Sequence, residues 1–175
     1  MLTARDVAAM PREELEAILA HAEAPAPEEL DGAIFFGVSL GLAPLVERLT
    51  WKTFAKAFTR GVGGEVEGVN VRVEQRGVEG PLVPKRRRDG TPVTFGPFLV
   101  RGAAGALVLD YGARAPFGSP LALCRDPLVA VNGSSRELLL GTTRLALFGR
   151  ERATASYFTL ERRGAWPEGA AARAR

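Results

Sequence analysis

Apolar residues recur at spacings of three and four near the start of the chain and at spacings of two further on. The pattern therefore predicts helices first and strands afterwards. Residues 3–22 read as helical, with Leu15, Ile18, Leu19 and Ala22 on one stripe. Thr3 followed by Asp6 has the form of a capping box. Pro11 suits the first turn of a second helical segment, where Glu13 and Glu14 meet the positive end of the helix dipole. Ala24-Pro25-Ala26-Pro27 then stops the helix and reads as a stiff, extended linker. Leu30 to Gly37 is a short apolar stretch, either a strand or a tight lead-in turn. Residues 42–59 read as a further helix. Leu42, Leu45, Val46, Leu49, Phe54, Ala57 and Phe58 form its wide apolar face, and Glu47, Arg48, Lys52 and Lys56 lie largely elsewhere.

After Arg60 the glycines at 61, 63 and 64 break the helix, and strand-like runs alternate with turns. Val69, Val71 and Val73 alternate with Asn70, Arg72 and Glu74, the mark of a half-buried strand. Val93 to Arg101 is a second strand, with Gly96-Pro97 suggesting an edge or a bulge. Ala106 to Tyr111 is apolar on both faces and hence central. Leu121 to Val131, Leu138 to Phe148 and Ala155 to Glu161 complete six strands, with Gly141 a bend in the fifth. The connections are too short for helical crossovers, so the sheet is expected to be antiparallel. Closure into a barrel would remove its exposed edges. The expected class is α+β: N-terminal helices followed by a strongly curved antiparallel sheet or a β-barrel. Residues 1–29 form the helical arm and linker, 30–163 a helix-capped barrel-like domain, and 164–175 a fraying tail.

Charge sharpens this division. The chain of 175 residues has a net charge of +3. Within residues 1–31, Arg5 and Arg12 face eight acids, a net of −6, so the remainder carries +9. An acidic arm on a basic body is expected to dock back on it, or else to recruit a partner. One Cys and one His exclude a disulfide framework within the chain and an ordinary zinc site. No metal and no cofactor are expected. The first residues lack the charged start and apolar core of a signal peptide. With the lone Cys124, this predicts a cytoplasmic protein with no membrane span.

Candidate chemistry is sparse. Lys85-Arg86-Arg87-Arg88, between Pro84 and Asp89-Gly90, reads as a solvated hairpin tip. Its four cations would also suit phosphates, but no aromatic platforms flank them, so no nucleic-acid partner is expected. Gly61-Val62-Gly63-Gly64 follows a helix rather than a strand, the wrong order for a phosphate cradle. No serine has a nucleophile-elbow context, and His21 lies on the polar side of the arm. Asp110 and Arg125 fall in adjacent strands, where an ion pair would satisfy both. Alternatively, an arginine at a barrel mouth would grip a carboxylate or phosphate, with Tyr111 donating a hydrogen bond or a proton. Trp51, Phe54 and Phe58 form an aromatic stripe, suited to core packing or to a helix lid over an apolar pocket.

Read in order, Leu30-Asp31-Gly32, Phe36-Gly37, Trp51-Lys52-x-Phe54, Asn70-x-Arg72, Ala106 to Tyr111, Arg125-Asp126 and Glu137 to Gly141 form a distinctive series. The series resembles a group of uncharacterised bacterial GXWXG-type proteins with a lipocalin-like (calycin-like) barrel. The likeness spans roughly residues 30–161. Here Gly32 is followed by Phe35, Phe36 and Gly37, with no Trp. The resemblance implies a barrel holding a small apolar ligand and no particular reaction, so no catalytic residue is assigned.

The favoured function is therefore binding of a small hydrophobic or amphipathic molecule, an acyl- or carboxylate-bearing one included. Trp51, Phe54, Phe95, Phe98 and Phe158 would surround its apolar part. Arg72, Arg101 or Arg125 would meet its polar end, and Asp110 and Tyr111 complete the candidate set. Two alternatives compete with it. One is an isomerase or cyclase using Asp110 and Tyr111 for proton transfer. The other is an interaction module recruiting a partner through the acidic arm.

Overall fold

The computed structural model describes residues 1–40, 52–77, 80–103 and 106–166. Among these, eight strands close into an antiparallel barrel: β1 (Ala33–Leu40), β2 (Thr53–Arg60), β3 (Val66–Val71), β4 (Thr94–Ala103), β5 (Ala106–Asp110), β6 (Cys124–Asn132), β7 (Ser135–Leu147) and β8 (Arg150–Ala165). Each strand pairs with its neighbours in sequence, and β1 closes the ring against β8. No edge strand is left among them to template aggregation. The described residues are thus mainly β, with helix among them confined to α1 (Ala4–Ala8), α2 (Arg12–His21) and three short 3-10 turns.

Strand alternation sorts side chains into two apolar layers. Phe35, Phe58, Phe98, Leu107, Leu109, Leu128, Leu139 and Leu160 join one buried cluster inside the barrel. Ile34, Phe36, Val38, Val129, Leu138 and Leu140 belong to a second cluster on the outer face, together with Val7 of α1 and Leu15 of α2. The strands consequently read as apolar on both faces, unlike those of an antiparallel sheet with one wet side.

The acidic arm docks on its own barrel. Asn132 holds both backbone groups of Leu2, each at 2.8 Å. The Tyr157 hydroxyl donates to Glu16 Oε1 at 2.9 Å. Arg136 Nε lies 2.9 Å from Glu29 Oε2, and the Ala130 N–H donates to the Glu23 carbonyl at 2.8 Å. The Thr3–Asp6 capping box is present. Leu30, at the end of the 3-10 turn Pro27–Leu30, is fully buried in the interior cluster with Ala33 and Phe35.

Three expectations are corrected. The helix over 42–59 fails where it is described, because residues 53–60 are β2; residues 41–51, Trp51 and the supposed lid among them, lie outside the described residues. Phe54-Ala55-Lys56-Ala57-Phe58 also satisfies a period of two, and in the barrel Phe54 and Phe58 join the inner cluster while Ala55 and Ala57 join the outer. β3 carries Val69 and Val71 outward beneath other apolar groups and turns Asn70 inward, the reverse of its apparent polarity. Finally, Gly164 and Ala165 of the expected tail belong to β8, and the buried Trp166 donates its N–H to the Gly32 carbonyl at 2.7 Å; residues 167–175 lie outside the described residues.

Candidate functional site

The barrel interior is filled at the Leu30 end and hollow at the other. Its hollow is a cup of about 180 Å³, open at the top, lined by Phe54, Phe95, Leu121, Phe158, Cys124, three hydroxyl residues (Ser39, Thr143 and Ser156) and a polar floor. Lys56, Asn70, Tyr111 and Asp126 make the floor, contributed by β2, β3, the 3-10 turn following β5, and β6. All four are buried.

The Lys56 ammonium is the centre of this group. Nζ donates to Asn70 Oδ1 at 3.0 Å, to the Tyr111 hydroxyl oxygen in a short contact, and to Asp126 Oδ2 at 3.4 Å. Asn70 Nδ2 donates to the Gly96 carbonyl at 3.1 Å and to Tyr111 Oη at 3.2 Å. Gly96 has φ +53°, a conformation that favours glycine. Around Nζ stand the rings of Phe54, Phe98, Tyr111 and Phe158, with centroids 5.1–5.4 Å away. Each ring offers a cation about 0.5–2 kcal/mol, more where water is excluded.

Inward-facing glycines make room for these rings. A Cβ at Gly37 would collide with the Phe54 ring, one at Gly68 with Phe98, and one at Gly141 with both Phe158 and Leu128. The aromatic cage therefore exists because the opposite positions lack side chains.

Electrostatics push the floor toward neutral forms. Burial lowers the Lys56 pKa, opposed by the Asp126 charge. Burial likewise raises Asp126, against the pull of Lys56 and of the Thr143 and Tyr111 hydroxyls. Tyr111 is raised well above the usual phenol value, chiefly by burial and then by Asp126, so it remains a hydroxyl donor. Burial also raises the Cys124 thiol, which makes it a poor thiolate. Asp126 Oδ1 is buried and makes no hydrogen bond. An orphan acceptor of this kind costs about 1–3 kcal/mol.

The sequence-predicted residues divide. Phe54, Phe95, Phe158 and Tyr111 line the cup, and Phe98 packs against Tyr111 with ring centroids 5.2 Å apart. The charged residues do not join them. Asp110 precedes Tyr111 and so faces the opposite side of the wall, where Arg101 Nε lies 2.8 Å from its Oδ2 and Arg125 Nε lies 3.1 Å from its Oδ1. The Asp110–Arg125 pair thus forms, but outside the cup. This removes Asp110 and Tyr111 as a joint proton-transfer pair. Arg72 is exposed and stacks on Phe95 with its guanidinium 5.8 Å from the ring centre, reaching only the rim. Lys56, Asn70 and Asp126 were missed. The usable signal was Lys56 placed two residues from both Phe54 and Phe58, and Asp126 beside Arg125 as the two charges in the apolar run Leu121 to Val131.

A larger surface groove, about 560 Å³, runs past Thr59, Val62 and Pro116. Its Arg114 is already paired with Glu65 and Glu67. The cup combines a cavity with an unsatisfied buried polar atom, Asp126 Oδ1. Comparison with family models, curated proteins and solved structures finds no match to this chain. What the structure establishes is a closed eight-stranded antiparallel barrel with a polar-floored cup at one end.

Proposed function

We propose that this protein binds a small amphipathic molecule in the barrel cup, apolar body against Phe54, Phe95 and Phe158 and polar end on the Lys56–Asn70–Tyr111–Asp126 floor. The observation that carries the reading is the orphan Asp126 Oδ1 at the base of an aromatic-walled cavity. A hydroxyl or other donor on the ligand would satisfy it. Size narrows the ligand class. A cavity of about 150 Å³ accepts benzene, whereas sites for drug-sized ligands start at about 300 Å³. At about 180 Å³ the cup suits a single ring or a short chain rather than a long acyl tail. On the same reading the chain is a relative of the GXWXG-type barrel proteins and works in the cytoplasm.

Titration of the isotope-labelled protein with benzyl alcohol, followed by amide NMR shifts, tests the proposal. Saturable shifts confined to Phe54, Asn70, Phe95, Asp126 and their neighbours are expected. Shifts absent from the cup, or spread over the surface without saturation, overturn it. Native mass spectrometry of gently purified protein gives the mass of any molecule already held there.

A further inference from the structure

A lysine buried at the base of a cavity is a costly residue if the site only binds. Floors that accept a ligand hydroxyl are built more cheaply from Asn, Ser or Tyr, which carry no charge to desolvate. Here the lysine is 3% exposed, lines the cup, and has a phenol and a carboxyl group in contact with its nitrogen. We infer that Lys56 is a nucleophile that forms a Schiff base with a small aldehyde or ketone bound in the cup. The inference rests on the proposed ligand cup and adds a covalent step to it.

The chemistry balances with the groups present. The neutral Lys56 amine uses its lone pair to form a C–N bond to the carbonyl carbon. The π electrons of the C=O bond move to oxygen, which takes a proton from the Tyr111 hydroxyl or the Asp126 carboxyl group. The nitrogen of the adduct then returns one proton to that donor, which in turn protonates the carbinolamine hydroxyl; this leaves as water while the nitrogen lone pair forms the C=N bond of a protonated imine. Three conditions for such a step are met. Desolvation favours the uncharged, nucleophilic amine. Tyr111 and Asp126 are both held toward their protonated forms by burial, so both are able to donate. Asp126 Oδ1, which lacks a partner, is free to accept a hydrogen bond from the departing water. Ser39, Thr143 and Ser156 add hydroxyls along the wall for a second polar group on the substrate.

The lysine inventory makes the test sharp. The chain has three lysines, and Lys52 and Lys85 are exposed. Full-length wild-type protein is incubated at neutral pH with benzaldehyde and sodium cyanoborohydride, which reduces an imine to a stable secondary amine. Peptide mapping by mass spectrometry then reads each lysine separately. The expected result is a benzyl adduct at Lys56 accumulating at least about tenfold faster than at Lys52 or Lys85, with Tyr111→Phe slowing that adduct severalfold. Equal labelling of the three lysines overturns the inference. So does saturable NMR binding of benzaldehyde in the cup with no adduct at Lys56, a result that leaves the ligand-cup reading standing. Absence of both binding and adduct overturns the two together. Because the decisive readings use the wild-type chain, they do not depend on any variant folding.

Discussion

Lys56 Nζ and Asp126 Oδ2 lie 3.4 Å apart inside the barrel, with their side chains 3% and 6% exposed. Taking two such groups from water costs several kcal/mol each, and their mutual attraction only partly offsets it. The pair is therefore expected to serve the cup's chemistry at the expense of stability. Lys56→Met leaves Asp126 buried without its partner and should cost up to about 3–5 kcal/mol. The double variant Lys56→Met/Asp126→Leu should recover that loss and end about as stable as wild type, or about 1–4 kcal/mol more so. Urea unfolding of the four proteins in the cycle measures this. Additive losses from the two single changes would show that the groups do not interact.

The same pair should shape the dependence of stability on pH. Burial places the native pKa of Lys56 below its ordinary 10.5. Between those two values the unfolded chain binds more protons than the native one, so stability rises with pH. Burial places the native pKa of Asp126 above its ordinary 3.8. From 3.8 up to the raised value the native chain binds more protons, so stability falls as pH rises. Measured against the Lys56→Met/Asp126→Leu variant, wild type should pass through a trough between the two windows. Denaturant midpoints of both proteins from about pH 4 to about pH 10 provide the curve. A difference that does not change with pH would mean that neither group is shifted by burial.

Gly141 should tolerate no side chain. A Cβ there would meet the Phe158 ring and Leu128, both in the packed interior. Gly141→Ala is expected to cost about 1–3 kcal/mol through overpacking, and to push Phe158 toward the cup and weaken benzyl alcohol binding. Gly63→Ala is the control, because nothing lies within 4 Å of the added carbon. Its effect should stay within about 0.5 kcal/mol. Thermal unfolding and the NMR titration separate the two effects.

The contrast between Gly141 and Lys56 marks how far the sequence could be read. Gly141 stands out as a bend because a glycine interrupts an apolar run. The six later strands were legible for a similar reason, since turn residues punctuate them at short intervals. β2 was not, because Phe54, Ala57 and Phe58 fit a helical stripe as well as a strand, and alanine favours neither face. Once Phe54 to Phe58 was assigned to a helix, Lys56 fell on its solvent side. Asn70 was hidden by a different effect. The valines beside it mark a buried face, but in this barrel the outer face is also buried, so apolar alternation no longer tells inside from outside. Three of the four floor residues, Lys56, Asn70 and Asp126, are brought together by barrel closure across 71 positions of chain. No local pattern carries that information.

The N-terminal arm should contribute to folding stability while leaving the barrel itself intact. Val7 and Leu15 are 0% and 5% exposed against the outer wall. Burying each fully favours docking by about 1.5–3 kcal/mol, and ordering the arm's backbone offsets much of it. Deletion of residues 1–22 is thus expected to lower stability by about 2 kcal/mol. The deletion retains Leu30, which fills the closed end of the barrel, so the interior cluster and the cup should survive. Tyr157→Phe removes only the hydrogen bond to Glu16 and should lower the midpoint by less than the deletion does. The expected signature is a shifted denaturant midpoint with unchanged benzyl alcohol shifts in the cup. An unchanged midpoint would mean that docking of the arm adds nothing to stability, and would return the acidic helices to the role of a recruitment surface.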